Sequence, residues 1–160
     1  MRTPKMPRIF WGVLALLLTA CASEPPPPVP TVVRLQLQAT TDLNPSGSGQ
    51  PAPVRVRLYE LKSGAIFSRA DYFSLVEAAN ATLGSDLVEQ DELLIQPGEQ
   101  LILDRTLDEQ SRLLGFVVAY RDLDDSVWRQ LVNIPPHQTS ILNVSLSARA
   151  VSAVPATPAK

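Results

Sequence analysis

The sequence predicts an all-β fold, a two-sheet antiparallel β-sandwich with a short helical insertion between the second and third strands. Three observations lead to this prediction. Apolar and polar residues alternate in most of the chain after residue 30, turn signals separate the alternating segments, and one stretch changes to a helical period. A length of 160 residues suits one domain with additional terminal segments.

Seven segments are predicted to form strands, because each shows a period of two or is continuously apolar. In the first, Val33–Ala39, the apolar residues all fall on one face. Leu114–Tyr120 is nearly all apolar, which is typical of a central strand that is covered on both faces. The other five segments are Val54–Tyr59, Leu93–Gln96, Leu101–Leu107, Trp128–Ile134 and Thr139–Leu146. Turn signals between so many short strands favour a sandwich.

The segment Phe67–Ala79 departs from the period of two. Four of its apolar residues have the spacing i, i+3, i+4 and i+7, which places them on one face of a helix packed on the sandwich. These residues are Tyr72, Leu75, Val76 and Ala79. Ser68, three residues before Asp71, is predicted to cap this helix at its amino terminus. A second short helical turn is predicted within Asn80–Leu87.

The amino terminus has the pattern of a bacterial export signal, with three basic residues followed by the apolar run Ile9–Ala20. This run is shorter than the roughly 20 residues that a membrane-spanning helix needs. Leu18–Cys21 resembles a lipobox, whose cysteine is lipidated and becomes the mature amino terminus. Cys21 is the only cysteine and is the predicted lipidation site; an ordinary signal peptide with a chance cysteine is the alternative. Ala22 and Ser23 follow it without an Asp, which by resemblance to lipoprotein sorting rules directs the protein to the periplasmic face of the outer membrane.

These features divide the chain into four predicted parts. Residues 1–20 are the lipoprotein signal peptide, and residues 21–30 hold the lipidated cysteine and a Pro-rich tether that favours polyproline II. Residues 31–149 form the β-sandwich domain. Residues 150–160, which contain two prolines, are predicted to be a flexible carboxyl-terminal tail.

Residue types give little support for catalysis, and the protein is predicted not to be an enzyme. A formal net charge of −2 does not favour nucleic-acid binding. His137, the only histidine, is predicted to lie exposed in a hairpin loop and not in a catalytic triad or zinc site. Asp122–Asp125 is predicted to be a polar hairpin turn, with calcium binding as the alternative. Another acidic group is expected in a solvated loop: Asp86, Glu89, Asp91 and Glu92. No cofactor, metal or small-molecule substrate is therefore expected.

The best candidate for function is the connection Thr40–Pro53 between the first two strands. Loops between paired strands usually take about 2–5 residues, so a connection of this length suggests that a partner uses it. Prolines restrict the backbone near its ends, and Gly47 and Gly49 permit a tight tip, which lowers the cost of ordering the loop on binding. A long mobile surface loop without a partner is the alternative.

Several stretches, in order along the chain, resemble the TssJ (SciN-like) family of outer-membrane lipoproteins of the type VI secretion system. They are the lipobox at Cys21, Leu43–Pro45, Pro53–Leu61, Phe67, Ala70–Leu75, Leu83–Leu87, Pro97–Glu99, Leu114–Asp122 and Trp128–Arg129. Tyr72 stands where many relatives have phenylalanine. The resemblance implies a transthyretin-like β-sandwich with an added helical element, and a structural role without catalysis.

The resemblance also implies a partner, the periplasmic carboxyl-terminal domain of TssM, and through it an indirect association with TssL. In that family the loop between the first two strands contributes to the TssM contact. The corresponding positions are Leu43, Asn44, Pro45, Ser46, Gly47, Gly49, Gln50 and Pro51. Three rivals stay open at this point: a chaperone or pilotin for another envelope assembly, a transthyretin-like carrier of a small ligand, and a periplasmic hydrolase with an acid pair.

Overall fold

Two four-stranded β-sheets pack face to face, and a helical segment covers the outer face of one of them. The computed structural model describes residues 28–156. The strands are β1 (Thr31–Ala39), β2 (Val54–Leu61), β3 (Leu87–Ile95), β4 (Gln100–Leu107), β5 (Leu113–Val118), β6 (Arg129–Asn133), β7 (Thr139–Leu146) and β8 (Val151–Pro155). Helices α1 (Tyr72–Glu77) and α2 (Ala79–Leu83), followed by a 3-10 turn at Gly84–Asp86, lie between β2 and β3. Sheet A has the strand order β4-β1-β7-β8, and sheet B has the order β3-β2-β5-β6.

The predicted two-sheet sandwich with a helical insertion is confirmed, but one strand pair is parallel. β1 pairs with β4 antiparallel and with β7 parallel. The connection from β6 to β7 is not the predicted hairpin loop. Because β6 belongs to sheet B and β7 to sheet A, residues 134–138 cross between the sheets and β7 starts at the same end as β1. His137 is exposed in this crossing, as predicted, with φ 60° and its backbone N–H donated to the Thr31 hydroxyl at 2.9 Å.

The space between the sheets is filled by the apolar residues that the period of two predicts. Along β1 four apolar side chains point inward and are buried, while Arg34, Gln36 and Gln38 point outward. These four residues are Val33, Leu35, Leu37 and Ala39. They share one apolar cluster with the buried residues of β7 in the same sheet and with those of β2 and β5 in the opposite sheet. Burial of this area is the main favourable contribution to folding.

Strand β5 is covered on both faces, as its continuous apolar sequence predicts. One face belongs to the core between the sheets, and the other lies under the helical insertion. Gly115 sits directly beneath the ring of Phe67, which is fully buried. This ring packs against Tyr59 with 5.6 Å between ring centroids, and the Tyr59 hydroxyl donates to the carbonyl of Leu75 at 2.8 Å. The absence of a side chain at Gly115 therefore lets the insertion approach the sheet closely.

The predicted helical face is correct, but the predicted cap is wrong. Leu75 and Ala79 are buried against sheet B. The cap is Asp71 and not Ser68, because Asp71 Oδ1 accepts the backbone N–H of Ser74 at 2.9 Å. Ser68 lies earlier, in a turn where its own N–H donates to Gly64. The hydroxyl of Ser74 also donates to Asp71 and holds the pKa of that carboxyl below its usual value.

Strand β3 is longer than predicted, and most of the expected acidic loop belongs to it. Glu89, Asp91 and Glu92 are strand residues, and only Asp86 precedes the strand. Two of these acids face arginines on other strands, since Glu92 accepts from Arg57 Nε on the neighbouring strand β2 at 2.9 Å and Asp91 pairs with Arg105 on β4 of the other sheet. Pairing with a cation offsets like-charge repulsion, which is why a run of acids can be part of a sheet. Sequence alone does not reveal these cross-strand partners.

The predicted flexible tail is also corrected, because Val151–Pro155 forms β8 at the edge of sheet A. The strand pairs antiparallel with β7, and Val151 and Ala153 are buried. The two apolar residues alternate with exposed ones, so the period of two is present but spans too few residues to stand out. The sandwich therefore extends beyond residue 149, and residues 157–160 lie outside the described part of the chain.

The close approach at Gly115 gives a test of this packing. A Cβ at Gly115 would lie 2.7 Å from the Phe67 ring, so Gly115→Ala is expected to destabilise the domain by about 1–3 kcal/mol in chemical denaturation. Gly47→Ala is the matched control, because nothing lies within 4 Å of its added Cβ and the change should stay within about 0.5 kcal/mol. Equal stabilities of the two variants would contradict the packing of Phe67 on β5.

Candidate partner-binding surface

Four loops meet at one end of the sandwich, which we call the loop end. They are the β1–β2 loop (residues 40–53), the β3–β4 turn (96–99), the β5–β6 loop (119–128) and the β7–β8 loop (147–150). Backbone hydrogen bonds join them: Gly98 N–H donates to Thr40 at 3.0 Å, and Val127 N–H donates to Arg149 at 2.8 Å. The chain enters β1 at Thr31, at the opposite end, which we call the tether end.

The base of the β1–β2 loop is part of the core and not a free surface. Leu43 is fully buried and belongs to the main apolar cluster. Its carbonyl accepts the N–H of Ala52 at 3.0 Å, which closes the two sides of the loop against each other. Leu43, one of the residues predicted to contact a partner, is therefore not exposed in the structure and supports the loop from within.

Asn44, also predicted to contact a partner, is buried as well, and its side chain binds within the chain. Asn44 Nδ2 donates to the carbonyl of Pro53 at 3.0 Å, and Asn44 Oδ1 accepts the N–H of Arg121 at 2.8 Å. Its backbone N–H donates to Ala148 at 3.1 Å. Its φ of 48° lies in the left-handed region, which asparagine tolerates better than most residues. One residue thus joins three of the four loops.

The tip of the loop, Pro45–Gln50, is accessible to a partner. Pro45 and Ser46 are partly exposed and the other tip residues are exposed, as is Pro51 beyond them. The tip is closed by the N–H of Ser46 donating to Gln50 and the N–H of Gly49 donating to Ser46, both at 2.8 Å. Gly49 has a φ of 81°, so the predicted need for glycine in a tight tip is correct there. The tip is therefore an ordered turn on a fixed base.

A shallow groove of about 380 Å³ runs between the tip and the neighbouring loops. It is lined by Pro45, Ser46, Gly47, Arg121, Asp122 and Arg149. Arg149 lies 3.7 Å from Asp122, and both side chains are about half exposed. Such exposed pairs are weak and can exchange their partners for those of a bound protein. The groove therefore offers cationic and anionic groups next to the exposed tip.

The β7–β8 loop is held in place from below by Tyr120. The Tyr120 hydroxyl donates to the carbonyl of Ser147 at 3.2 Å, and burial raises the pKa of this tyrosine. Neither Arg121 nor Arg149 was identified from the sequence as part of a site. The predicted β-sandwich domain ends at Arg149, and only the fold brings this residue beside the β1–β2 loop. The sequence predicts the acidic turn Asp122–Asp125, but it does not predict that Arg149 lies next to Asp122.

The described part of the chain was predicted to hold no metal site, and no membrane-spanning helix can be drawn in it. Among residues 28–156, no group of three or more His, Cys, Asp or Glu side chains is arranged to hold a metal ion. Within the same residues, no helix is both long and apolar enough to cross a membrane. Cys21, the predicted lipidation site, and most of the Pro-rich tether lie outside the described residues.

Comparison with known proteins adds a family and several solved structures. The family described as type VI secretion lipoprotein, VasD, EvfM, TssJ, matches residues 31–149. The T6SS lipoprotein TssJ1 from Pseudomonas aeruginosa is 55% identical, with a TM-score of 0.79 over 82% of this chain and 99% of that chain. Serratia marcescens Lip, a membrane bound component of the type VI secretion system, is 26% identical, with a TM-score of 0.73 over 78% of this chain and 98% of that chain.

A third similar chain occurs in a structure named for the T6SS protein TssM C-terminal domain (869–1107) from EAEC. It is 25% identical, with a TM-score of 0.62, and the match covers 79% of this chain and 99% of that chain. No curated protein sequence matches the chain. The likeness to these structures extends over almost the whole of each solved chain.

Removal of the Asn44 side chain tests the structure of the loop end. Asn44→Ala loses the hydrogen bonds to Pro53 and Arg121 and places alanine at a positive φ, so we expect a loss of about 1–3 kcal/mol of unfolding free energy. Hydrogen exchange at the Arg121 amide should accelerate. Asn44→Asp keeps an acceptor for that amide and should lose less stability. Exchange at Arg121 that is unchanged in Asn44→Ala would contradict the role of this side chain.

Proposed function

Since the chain belongs to the TssJ family of type VI secretion lipoproteins, we propose that it is a structural, non-catalytic component of the secretion system's membrane complex. It anchors the periplasmic carboxyl-terminal domain of TssM to the outer membrane, and it is associated with TssL through TssM. Acyl chains on Cys21 hold one end of the protein in the membrane, and the loop end binds TssM. The protein acts through attachment at both ends.

The observation that carries this proposal is the position of the two attachment points at opposite ends of β1. The tether enters at Thr31 and the β1–β2 loop begins after Ala39, nine strand residues later. At about 3.3 Å per residue, the strand separates these points by roughly 30 Å. A partner bound at the loop end is therefore clear of the membrane that holds the other end.

The Pro-rich tether adds to this separation. Residues 22–30 contain five prolines and favour polyproline II, which extends by about 3.1 Å per residue and is stiffer than an ordinary linker. Bacterial lipidation supplies several acyl chains, and each buried methylene contributes about 0.8 kcal/mol, so attachment is effectively permanent. The absence of Asp after Cys21 supports the outer membrane as the destination.

The order of the β1–β2 loop supports its role as the binding element. Its base is fixed by the burial of Leu43 and by the hydrogen bonds of Asn44, so little conformational entropy is lost when a partner binds. The residues proposed to touch TssM are the tip Pro45–Gln50 with Pro51, together with the groove residues Arg121 and Arg149. Leu43 and Asn44 act by positioning them.

The similar chain in the structure named for TssM supports this partner. The range 869–1107 in that name spans far more residues than the 79% of this 160-residue chain that is aligned. The aligned part nevertheless covers 99% of the solved chain. That solved chain is therefore the size of the present sandwich. A chain of this size and fold in a structure named for TssM favours TssM over an outer-membrane channel as the partner.

A bulky charged residue at the loop tip tests the proposed interface. Gly47 is exposed, its φ is not positive and its Cβ position is open, so Gly47→Glu should fold normally. We expect it to weaken binding of the TssM periplasmic domain by about tenfold or more, because it introduces bulk and charge into the contact. Isothermal titration calorimetry with the purified lipoprotein in detergent measures this change.

Ser85→Glu is the matched control for this experiment. Ser85 is exposed in the 3-10 turn at the tether end, so the same charge is added on the side away from the proposed interface. Binding by Ser85→Glu should equal that of the unmodified protein. If Gly47→Glu binds as tightly as this control, the interface lies elsewhere.

Loss of the lipidated cysteine tests the anchor. Cys21→Ser removes the sulfur that carries the lipid, so the protein should move from the outer-membrane fraction to the soluble or inner-membrane fraction after separation of the envelope. Ala22→Ser is a control that leaves the cysteine in place. Cys21→Ser protein that is still found in the outer membrane would refute lipid anchoring at this residue.

A further inference from the structure

The exposed tip of the β1–β2 loop is too small to form a specific interface alone. A stable protein–protein interface of ordinary size buries about 800 Å² on each partner and involves about 20–30 residues. The tip comprises only Pro45–Gln50. A partner that binds the tip must therefore also contact additional surface that is continuous with the tip.

One continuous path leads from the groove to the helical insertion. The carbonyl of Arg149, which lines the groove, accepts the N–H of Val127 at 2.8 Å. Trp128 follows, and its ring meets Tyr72 edge-on with 5.4 Å between centroids. Tyr72 in turn meets Phe73 edge-on at 5.3 Å. We call the four apolar residues on this path, Tyr72, Phe73, Val127 and Trp128, the aromatic flank.

The aromatic flank exposes apolar surface in a fixed position. Phe73 is 60% exposed and Val127 is 55% exposed. Phe73 lies in the first turn of α1, which the Asp71 cap holds in place. An aromatic side chain that is exposed and already ordered loses little entropy on binding, and aromatic residues are enriched among those that dominate interface energies.

The flank is supported from beneath by Arg129. Its guanidinium lies 4.8 Å from the centroid of the Trp128 ring, and Arg129 Nη1 donates to the carbonyls of Phe67 and Ala70 at 2.8 and 2.7 Å. These contacts tie strand β6 to the turn that precedes α1. Movement of the flank relative to the loop end would break them, so the two surfaces form one unit.

We propose that the TssM contact extends from the loop tip across the groove to the aromatic flank, where Phe73 inserts into an apolar site on the TssM periplasmic domain. This inference rests on the proposed function. The flank also has the composition of a membrane-contacting surface, but Val127 and Trp128 belong to a loop of the loop end, whereas the lipid anchor approaches from the tether end. Its position therefore favours the protein partner.

The first test removes the aromatic group from the exposed side of α1. Phe73→Ser is expected to weaken TssM-domain binding by about tenfold or more in calorimetry while leaving the melting temperature nearly unchanged, because Phe73 is mostly exposed. Ile102→Ser is the matched control, since Ile102 is 66% exposed on the outer face of sheet A and should bind normally. Equal affinity of the two variants would overturn the proposal.

The second test identifies what lies against the flank in cells. A photo-crosslinking residue introduced as Phe73→p-benzoylphenylalanine should form an adduct with TssM, and the same residue at Ile102 should not. Adducts only with lipid, with a second copy of this chain or with another envelope protein would overturn the proposal.

Comparison with Gly47→Glu separates this inference from the proposed function. If Gly47→Glu loses TssM binding while Phe73→Ser keeps it, the flank is refuted and the proposed function stands. If neither variant loses binding and position 73 gives no TssM adduct, the loop tip and the flank are both refuted as contact surfaces. The proposed function is refuted if the unmodified protein does not bind the TssM periplasmic domain.

Discussion

The arrangement of the loop end depends on the side chain of Asn44. Its amide binds Pro53 on one side and Arg121 on the other, and its backbone binds Ala148, so three loops that are distant in sequence share one fixed residue. Asn44 is buried, and a buried polar group left without partners would be costly. The base of the loop therefore fixes the position of the short exposed tip on the sandwich.

The two sheets differ in whether the helical insertion covers their outer face. The helical insertion covers sheet B through Phe67 and Leu75, which contact Tyr59 of β2, and this packing requires Gly115 beneath the Phe67 ring. The same insertion carries Phe73 to the side of the loop end. An element whose packing stabilises the sandwich thus also displays an exposed aromatic residue, which connects the stability of the domain with its proposed contact surface.

The sequence predicted the fold class well because a period of two depends only on local alternation. It identified β1 and β7 for this reason. It identified β5 from a continuous apolar run and the buried face of α1 from helical spacing, which are also local patterns. It failed at Ser68, where the cap depended on which turn precedes the helix, and at Asp91 and Glu92, whose arginine partners lie on other strands. It also missed β8, whose alternation is short, and the parallel pairing of β1 with β7.

For this protein, the sequence by itself determined the alternating strands, the long β1–β2 connection, the Pro-rich tether and the family resemblance, because each is a property of neighbouring residues. Tertiary structure decided which residues of that connection are available to a partner. Leu43 and Asn44 belong to the same motif as Pro45, yet burial and hydrogen bonding make the first two internal and leave the third at the surface. Arg121, Arg149 and Phe73 belong to the proposed contact surface only because folding brings distant segments together, and contacts between distant segments are not encoded in any local pattern.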